Sequence, residues 1–199
     1  PELVWRFYSL RRDGAAKVDP NPGHLALAQL EARLGDRFLL ATQNVDGLHQ
    51  RAGSRRMVEL HGSLARVRCS REDRIVESWP APAADEPPRC QRCGAFLRPD
   101  VVWFEEALPA EALERAEEAA RACDLMIVAG TSAEVHPAAS LPWLARESGA
   151  TIVEVNPVAT PMSRLADHVV RSPSGVALPA WVSAAWPDDP DPIDGGGAK

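Results

Sequence analysis

The chain has 199 residues, 45% of them apolar and 25% charged, with a formal net charge of −6. That length holds one domain, or one domain with a small insert, around a sizeable buried core. The negative balance argues against nucleic acid as the main partner, and there is no apolar run of about 18 residues to cross a membrane. Pro1 to Trp5 lacks a basic region ahead of an apolar stretch, so no signal peptide is expected there. No Met precedes it, and the expectation is a fragment. Four cysteines, two of them in a Cys-x-x-Cys, fit a metal or structural role in a reducing cytoplasm better than a disulfide frame.

Leu3 to Arg12 carries Val4, Phe7, Tyr8 and Arg11 at helical spacing, and Asp13-Gly14 is expected to end that helix. Pro22 to Leu34 is a second amphipathic helix, with Leu27, Leu30 and Leu34 on one face and Gly35 closing it. Phe38 to Thr42 reads as a short buried strand, and Met57 to Leu60 as a short extended segment. Arg66 to Val102 is irregular. It holds Cys69, a Pro-rich acidic stretch from Trp79 to Pro88, and Cys90-Gln91-Arg92-Cys93-Gly94, which suggests a small module of its own. Pro99 to Phe104 brings the chain back as an extended apolar run.

Pro109 to Arg121 is an Ala- and Glu-rich helix with Pro in its first turn. Asp124 to Ala129 and Thr151 to Val155 read as buried parallel strands, separated by a helix over Pro137 to Glu147. His168 to Arg171 is a last strand and Gly175 to Ala185 a last helix; the Pro-, Asp- and Gly-rich tail is expected to be disordered. Cys123, ahead of a buried strand, is expected in the core. Strand–helix alternation of this kind predicts an α/β fold with a doubly wound parallel sheet. Residues 1–65 and 99–186 form its main domain, 66–98 the module and 187–199 the tail.

Three strands end in small polar residues: Thr42-Gln43-Asn44, Gly130-Thr131-Ser132 and Asn156. In open α/β sheets ligands bind at such carboxyl ends, so these residues are expected to line one crevice for a polar ligand. Gln43, Asn44 and Asp46 suit hydrogen bonds to a ribose and an amide, and Gly130-Thr131-Ser132 offers N–H groups and hydroxyls to a phosphate or ribose. His61 supplies an imidazole within one loop's reach, enough for general-base work on a sugar hydroxyl.

Thr42-Gln43-Asn44-Val45-Asp46-Gly47-Leu48-His49 followed by Leu60-His61-Gly62-Ser63 resembles the signature of the sirtuins, the NAD-dependent protein lysine deacylases. The resemblance implies a Rossmann-like fold with a small zinc-ribbon-like insert. It makes His61 the catalytic base and assigns Gln43, Asn44 and Asp46 to the nicotinamide and its ribose. Gly130, Thr131 and Ser132 resemble the family's phosphate and ribose contacts, Asn156 the adenosine-ribose contact, and Ser174 the adenine-edge contact. Val101, Val102, Trp103 and Phe104 resemble the segment on which sirtuins lay the acylated peptide as an added strand. Val4 to Arg12 is similar to the stretch that marks the class III members, which remove succinyl, malonyl and glutaryl groups. Tyr8 and Arg11 then meet the acid tail, since a guanidinium pairs bidentately with a carboxylate and a phenol adds a hydrogen bond. The implied reaction takes succinyl or malonyl, and less readily acetyl, from protein lysines with NAD, giving nicotinamide and O-acyl-ADP-ribose.

The sequence departs from the family pattern in three places. The zinc of sirtuins sits on two Cys-x-x-Cys pairs; here Cys69, Cys90 and Cys93 are present, with Glu72 in the partner position and Asp73 nearby, while packing alone is the alternative. The usual Gly-Glu after Phe104 is Glu105-Glu106, which bears on peptide preference. The opening strand and its Gly-Ala-Gly loop have no counterpart, and the match runs from Val4 to about Val182. The missing strand belongs between those at Phe38 and Asp124, so apolar sheet edges are expected to stand exposed. The rival functions are an ADP-ribose or acyl-peptide binding module, a mono-ADP-ribosyltransferase, and a zinc-ribbon interaction protein.

Overall fold

Helix α1, Glu2–Ala16, opens the computed structural model, which describes residues 1–77 and 86–187. Part of the Pro-rich stretch, at 79–85, and the expected tail at 188–199 lie outside the described residues. Asp13-Gly14 does not end α1. Arg51 reaches across the fold and donates from Nη1 to the carbonyls of Ala15 (3.1 Å) and Val18 (2.6 Å), satisfying backbone acceptors past the point where local sequence predicts a stop. Helix α2, Pro22–Leu34, starts on Asn21, whose Oδ1 accepts from the backbone N–H of Gly23 (2.9 Å) and His24 (3.3 Å).

Strand β1, Leu40–Thr42, is shorter than expected, because its ladder with the only neighbouring strand among the described residues begins at Leu40, opposite Met57. It is parallel to β2, Met57–Glu59, and between them lies a four-residue helix α3, Leu48–Arg51. Strands β3 (Gly62–Cys69), β4 (Ile75–Val76) and β5 (Leu97–Val101) form an antiparallel sheet in the order β4-β3-β5. After α4, Ala110–Ala122, come β6 (Leu125–Ala129), β7 (Thr151–Val155) and β8 (His168–Val170), all parallel. The helix expected over Pro137–Glu147 is split into a 3₁₀ turn at Ala138–Ser140 and α5, Leu141–Glu147. Helix α6, Ser174–Ala185, ends the described fold.

Alternate residues of β6 face opposite layers, as the period of a strand requires. Met126 and Val128 join the main core with Ala116 and Ala120 of α4, Leu141 and Ala145 of α5, Ile152 of β7, and Val58 and Leu60. Ile127 faces the second layer, where Ala26 of α2 packs on Leu178 and Val182 of α6. Cys123 packs against the main core. Helices thus cover both faces of a parallel sheet that comes in two pieces, β1-β2 and β6-β7-β8. The edges of β1 and β6 have no strand partner among the described residues, and Leu125 on β6 is 53% exposed. No helix among the described residues is long and apolar enough to cross a membrane.

The tightest backbone approach lies between β3 and β5. Gly62 has φ +78, and a Cβ there would sit 2.0 Å from the carbonyl oxygen of Asp100. That contact is with backbone, so no rotamer relieves it. Gly62→Ala is expected to destabilise the protein by about 3 kcal/mol or more, combining left-handed strain with steric overlap. Urea unfolding measures this; an unchanged midpoint would mean that β3 and β5 part freely.

Candidate functional site

Because β1, β6 and β7 are parallel within their pieces, each delivers its polar residues at its carboxyl end. Gln43 follows β1, and its Nε2 donates to Thr131 Oγ1 beyond β6 (3.4 Å). Asn156, directly after β7 and buried, donates from Nδ2 to the Thr131 carbonyl (3.1 Å). His61 Nδ1 lies 3.3 Å from the carbonyl oxygen of Gln43. These bonds join His61, Gln43, Thr131 and Asn156 in one line across the gap between the two sheet pieces. A carbonyl only accepts, so this bond places the proton on Nδ1 and leaves a lone pair on Nε2. Gly130 turns at φ +65 with open space where a Cβ would be, and Ser132 is exposed. The chain does not pass straight from Ser132 into a helix, because Ala133 is also left-handed at φ +53 and helical structure resumes only at Ala138.

Asp46 has a local task. Its Oδ1 accepts from Leu48 N (3.0 Å) and opens α3 after the left-handed Gly47. It also faces His24 and the buried His49, whose rings lie 4.6 Å apart. Burial pushes both imidazoles below the usual histidine range, while the Asp46 charge works the other way. Asn44 is exposed. Ser174 is the first residue of α6, packed beside the start of α2, and is not part of the hydrogen-bonded line.

The extended run expected over Pro99–Phe104 stops at Val101, because Trp103 already opens a turn closed by Glu106 N; Val102 N donates to the His61 carbonyl (3.0 Å) and fastens this stretch to the histidine loop. The Trp103 ring stacks with Tyr8 of α1 (centroids 6.2 Å apart, planes at 25°). Arg11, on the same helix, is exposed, with its guanidinium 5.7 Å from the centre of the Phe7 ring. Phe104 is 90% exposed.

In the antiparallel module, ligand atoms of Cys69, Glu72, Cys90 and Cys93 all lie within 4.8 Å of one another. Cys69 Sγ and Cys93 Sγ are 3.4 Å apart. Tetrahedral zinc with Zn–S near 2.3 Å spaces its sulfurs by roughly 3.8 Å, so the set has the size and chemistry for that ion. Backbone N–H groups of Cys93 and Arg92 draw the Cys90 thiol down to about 7, which favours the thiolate a metal needs. Glu72 stands between Arg74 and Arg92, each 3.5 Å away. Asp73 is outside the cluster: it pairs with Arg68 (2.7 Å) on a left-handed turn.

Residues that shape this region without having been singled out from the sequence include Glu154 and Arg171. Glu154 is fully buried in β7 and accepts from Thr160 Oγ1, Ser163 Oγ (2.7 Å) and Arg171 Nη1 (2.8 Å). Burial alone raises its carboxyl, but these donors outweigh it and the net shift is downward. Arg171 also donates to the carbonyls of Asn156 (3.4 Å) and Val158 (3.0 Å), so the network sets the loop that begins at Asn156. The signal was a lone charge inside the apolar run Thr151–Val155. Asp100 is likewise buried, gripped by Arg66 and Arg68 at 2.8 Å each.

The family model described as the Sir2 family matches residues 1–137. A protein of Aquifex aeolicus called NAD-dependent protein deacylase is 48% identical over 178 residues, covering 89% of this chain and 74% of its own length. A crystal structure of a Sir2 homologue in complex with NAD superposes with a TM-score of 0.87 at 46% identity, over 92% of this chain and 72% of that one. A Sir2 protein bound to an acetylated peptide gives a TM-score of 0.83 at 33% identity, over 94% and 78%. With sequence, fold and strand-end geometry in agreement, the chain belongs to the Sir2 family, the sirtuins.

Proposed function

We propose that this protein is an NAD-dependent protein lysine deacylase, with succinyl and malonyl groups preferred over acetyl. The carrying observation is the hydrogen-bonded line from His61 through Gln43 and Thr131 to Asn156, tied by Val102 to the end of β5, an edge strand among the described residues. The names and ligands of the similar proteins support it: a deacylase, an NAD complex and an acetylated-peptide complex.

The amides, hydroxyls and left-handed Gly130 at the strand ends fit a dinucleotide. Gln43, Asn44 and Asp46 hold its nicotinamide half, Gly130, Thr131 and Ser132 its phosphates and ribose, and Asn156 and Ser174 its adenosine end. When bound, NAD supplies an electrophilic ribose carbon with nicotinamide as leaving group. The protein contributes position and a base. His61, with Nδ1 committed to Gln43, presents Nε2 to a hydroxyl in the crevice and takes its proton there. Val101 to Phe104 pairs with the acyl-lysine peptide along the strand direction. Tyr8 is stacked on Trp103, and Arg11 lies three residues further along α1; the two would meet the acid tail of the acyl group. Cys69, Cys90, Cys93 and Glu72 hold zinc, which ties the module together, and a reducing cytoplasm suits such thiolates.

His61→Ala is expected to cut turnover by about 10²- to 10⁴-fold, the worth of a general base, while calorimetric NAD binding persists. Retained turnover would remove His61 from the role. Arg11→Met should lower desuccinylation roughly 10- to 100-fold more than deacetylation, the range of a charge-assisted hydrogen bond; equal losses on paired peptides would discard the clamp. Glu72→Ala should weaken zinc retention against a chelator, read by metal analysis. Unchanged retention would place the fourth ligand elsewhere.

A further inference from the structure

At the end of the peptide segment the chain reverses, in a turn that takes in its last two residues, Trp103 and Phe104. The Trp103 carbonyl accepts from Glu106 N (3.1 Å), closing a turn whose third residue, Glu105, has φ +71. A positive φ at that place marks a type II turn, where glycine is favoured because a Cβ is strained. The turn persists because its flanks are over-determined. Glu106 accepts from Trp103 N (2.9 Å) and takes two bonds from Arg98 (2.5 and 2.8 Å), whose guanidinium carbon sits 3.5 Å from the centre of the Trp103 ring. The Arg98 bonds also hold the Glu106 carboxyl below its usual range, so the clamp stays charged.

Glu106 is matched by Arg98, and Asp100 by Arg66 and Arg68. Glu105 is exposed and makes neither ion pair nor side-chain hydrogen bond among the described residues, and the Phe104 before it is 90% exposed. A side chain that strains its turn and makes no polar contact among the described residues gives the fold no ion pair or hydrogen bond in return. What it adds at this place is an unneutralised negative charge, two residues past Trp103. We propose that Glu105 is a specificity residue, selecting acyl-lysine peptides with lysine or arginine beside the modified residue and disfavouring acidic ones, with Phe104 as an apolar contact at the same tip. This rests on the reading of Val101 to Phe104 as the peptide segment.

The test is fluorescence anisotropy of the whole protein with two labelled succinyl-lysine peptides of equal length, one flanked by basic residues and one by acidic residues. Wild type, Glu105→Gln and Glu105→Gly are compared at low salt and at 1 M salt. Wild type is expected to bind the basic peptide about two- to fivefold more tightly for each flanking charge. Salt should erase the preference, since the Debye length falls to roughly 3 Å at 1 M. Both variants should reduce it, and Glu105→Gly should also raise the melting temperature by relieving the turn. Because the whole chain is acidic, only the difference between wild type and Glu105→Gln counts. An equal preference in the two, or none in wild type, overturns the proposal. Turnover of the same peptides separates the readings: preference without turnover counts against the deacylase alone, turnover without preference against Glu105 alone. Failure to bind either peptide overturns both.

Discussion

The approach of the Gly62 backbone to the Asp100 carbonyl governs the arrangement around it. With any Cβ at position 62 the two chains would have to part, the overlap being 2.0 Å from a backbone oxygen. That approach lets the His61 carbonyl accept from Val102 N on one side while its ring reaches the Gln43 carbonyl on the other. His61, the run that follows β5 and the end of β1 are therefore set by a single close contact. Charges lock it from behind: Arg66 bridges Glu59 and Asp100, and Arg68 takes the other Asp100 oxygen. Buried pairs of this kind add little net stability once desolvation is counted, but breaking one leaves a charge stranded. Their effect is to make misplacement of this loop costly.

A second buried carboxylate does the same for the far end of the crevice. Glu154 sits in β7 with Thr160, Ser163 and Arg171 around it, and Arg171 continues to the Asn156 carbonyl. Both ends of the hydrogen-bonded line thus lean on buried acids held by arginine. The middle of the line, Gln43 to Thr131, spans the open interval between β1 and β6. There the strands have no partners among the described residues, and a side-chain bond and the shared core under Val58, Leu60 and Val128 connect the pieces.

The cysteine module and helix α1 share a core as well. Trp5 of α1 is buried among Val67, Cys69, Cys90 and Leu97. Tyr8 lies one turn further along the same helix and stacks on Trp103. Whatever orders the four ligand groups therefore also steadies the helix that carries Tyr8 and Arg11.

Much was legible from local pattern. The helix over Pro22–Leu34 follows from its Asn and Pro start and glycine stop, and the Thr151–Val155 strand from an apolar run of strand length. The polar residues at the strand ends were visible because each directly follows an apolar run of strand length. Local pattern missed what distant groups decide: α1 outruns Asp13-Gly14 because Arg51 caps it, and Glu154 is tolerated inside β7 because Arg171 meets it. The sequence by itself thus determined the family, the α/β class and the residue types of the crevice, since these depend on spacing along the chain. Only the tertiary structure decided which nitrogen of His61 is free, that Glu72 rather than Asp73 joins the cysteines, and that Glu105 stands strained and unpaired. Each of those depends on a partner many residues away or on a backbone angle, and neither is written in the order of residues.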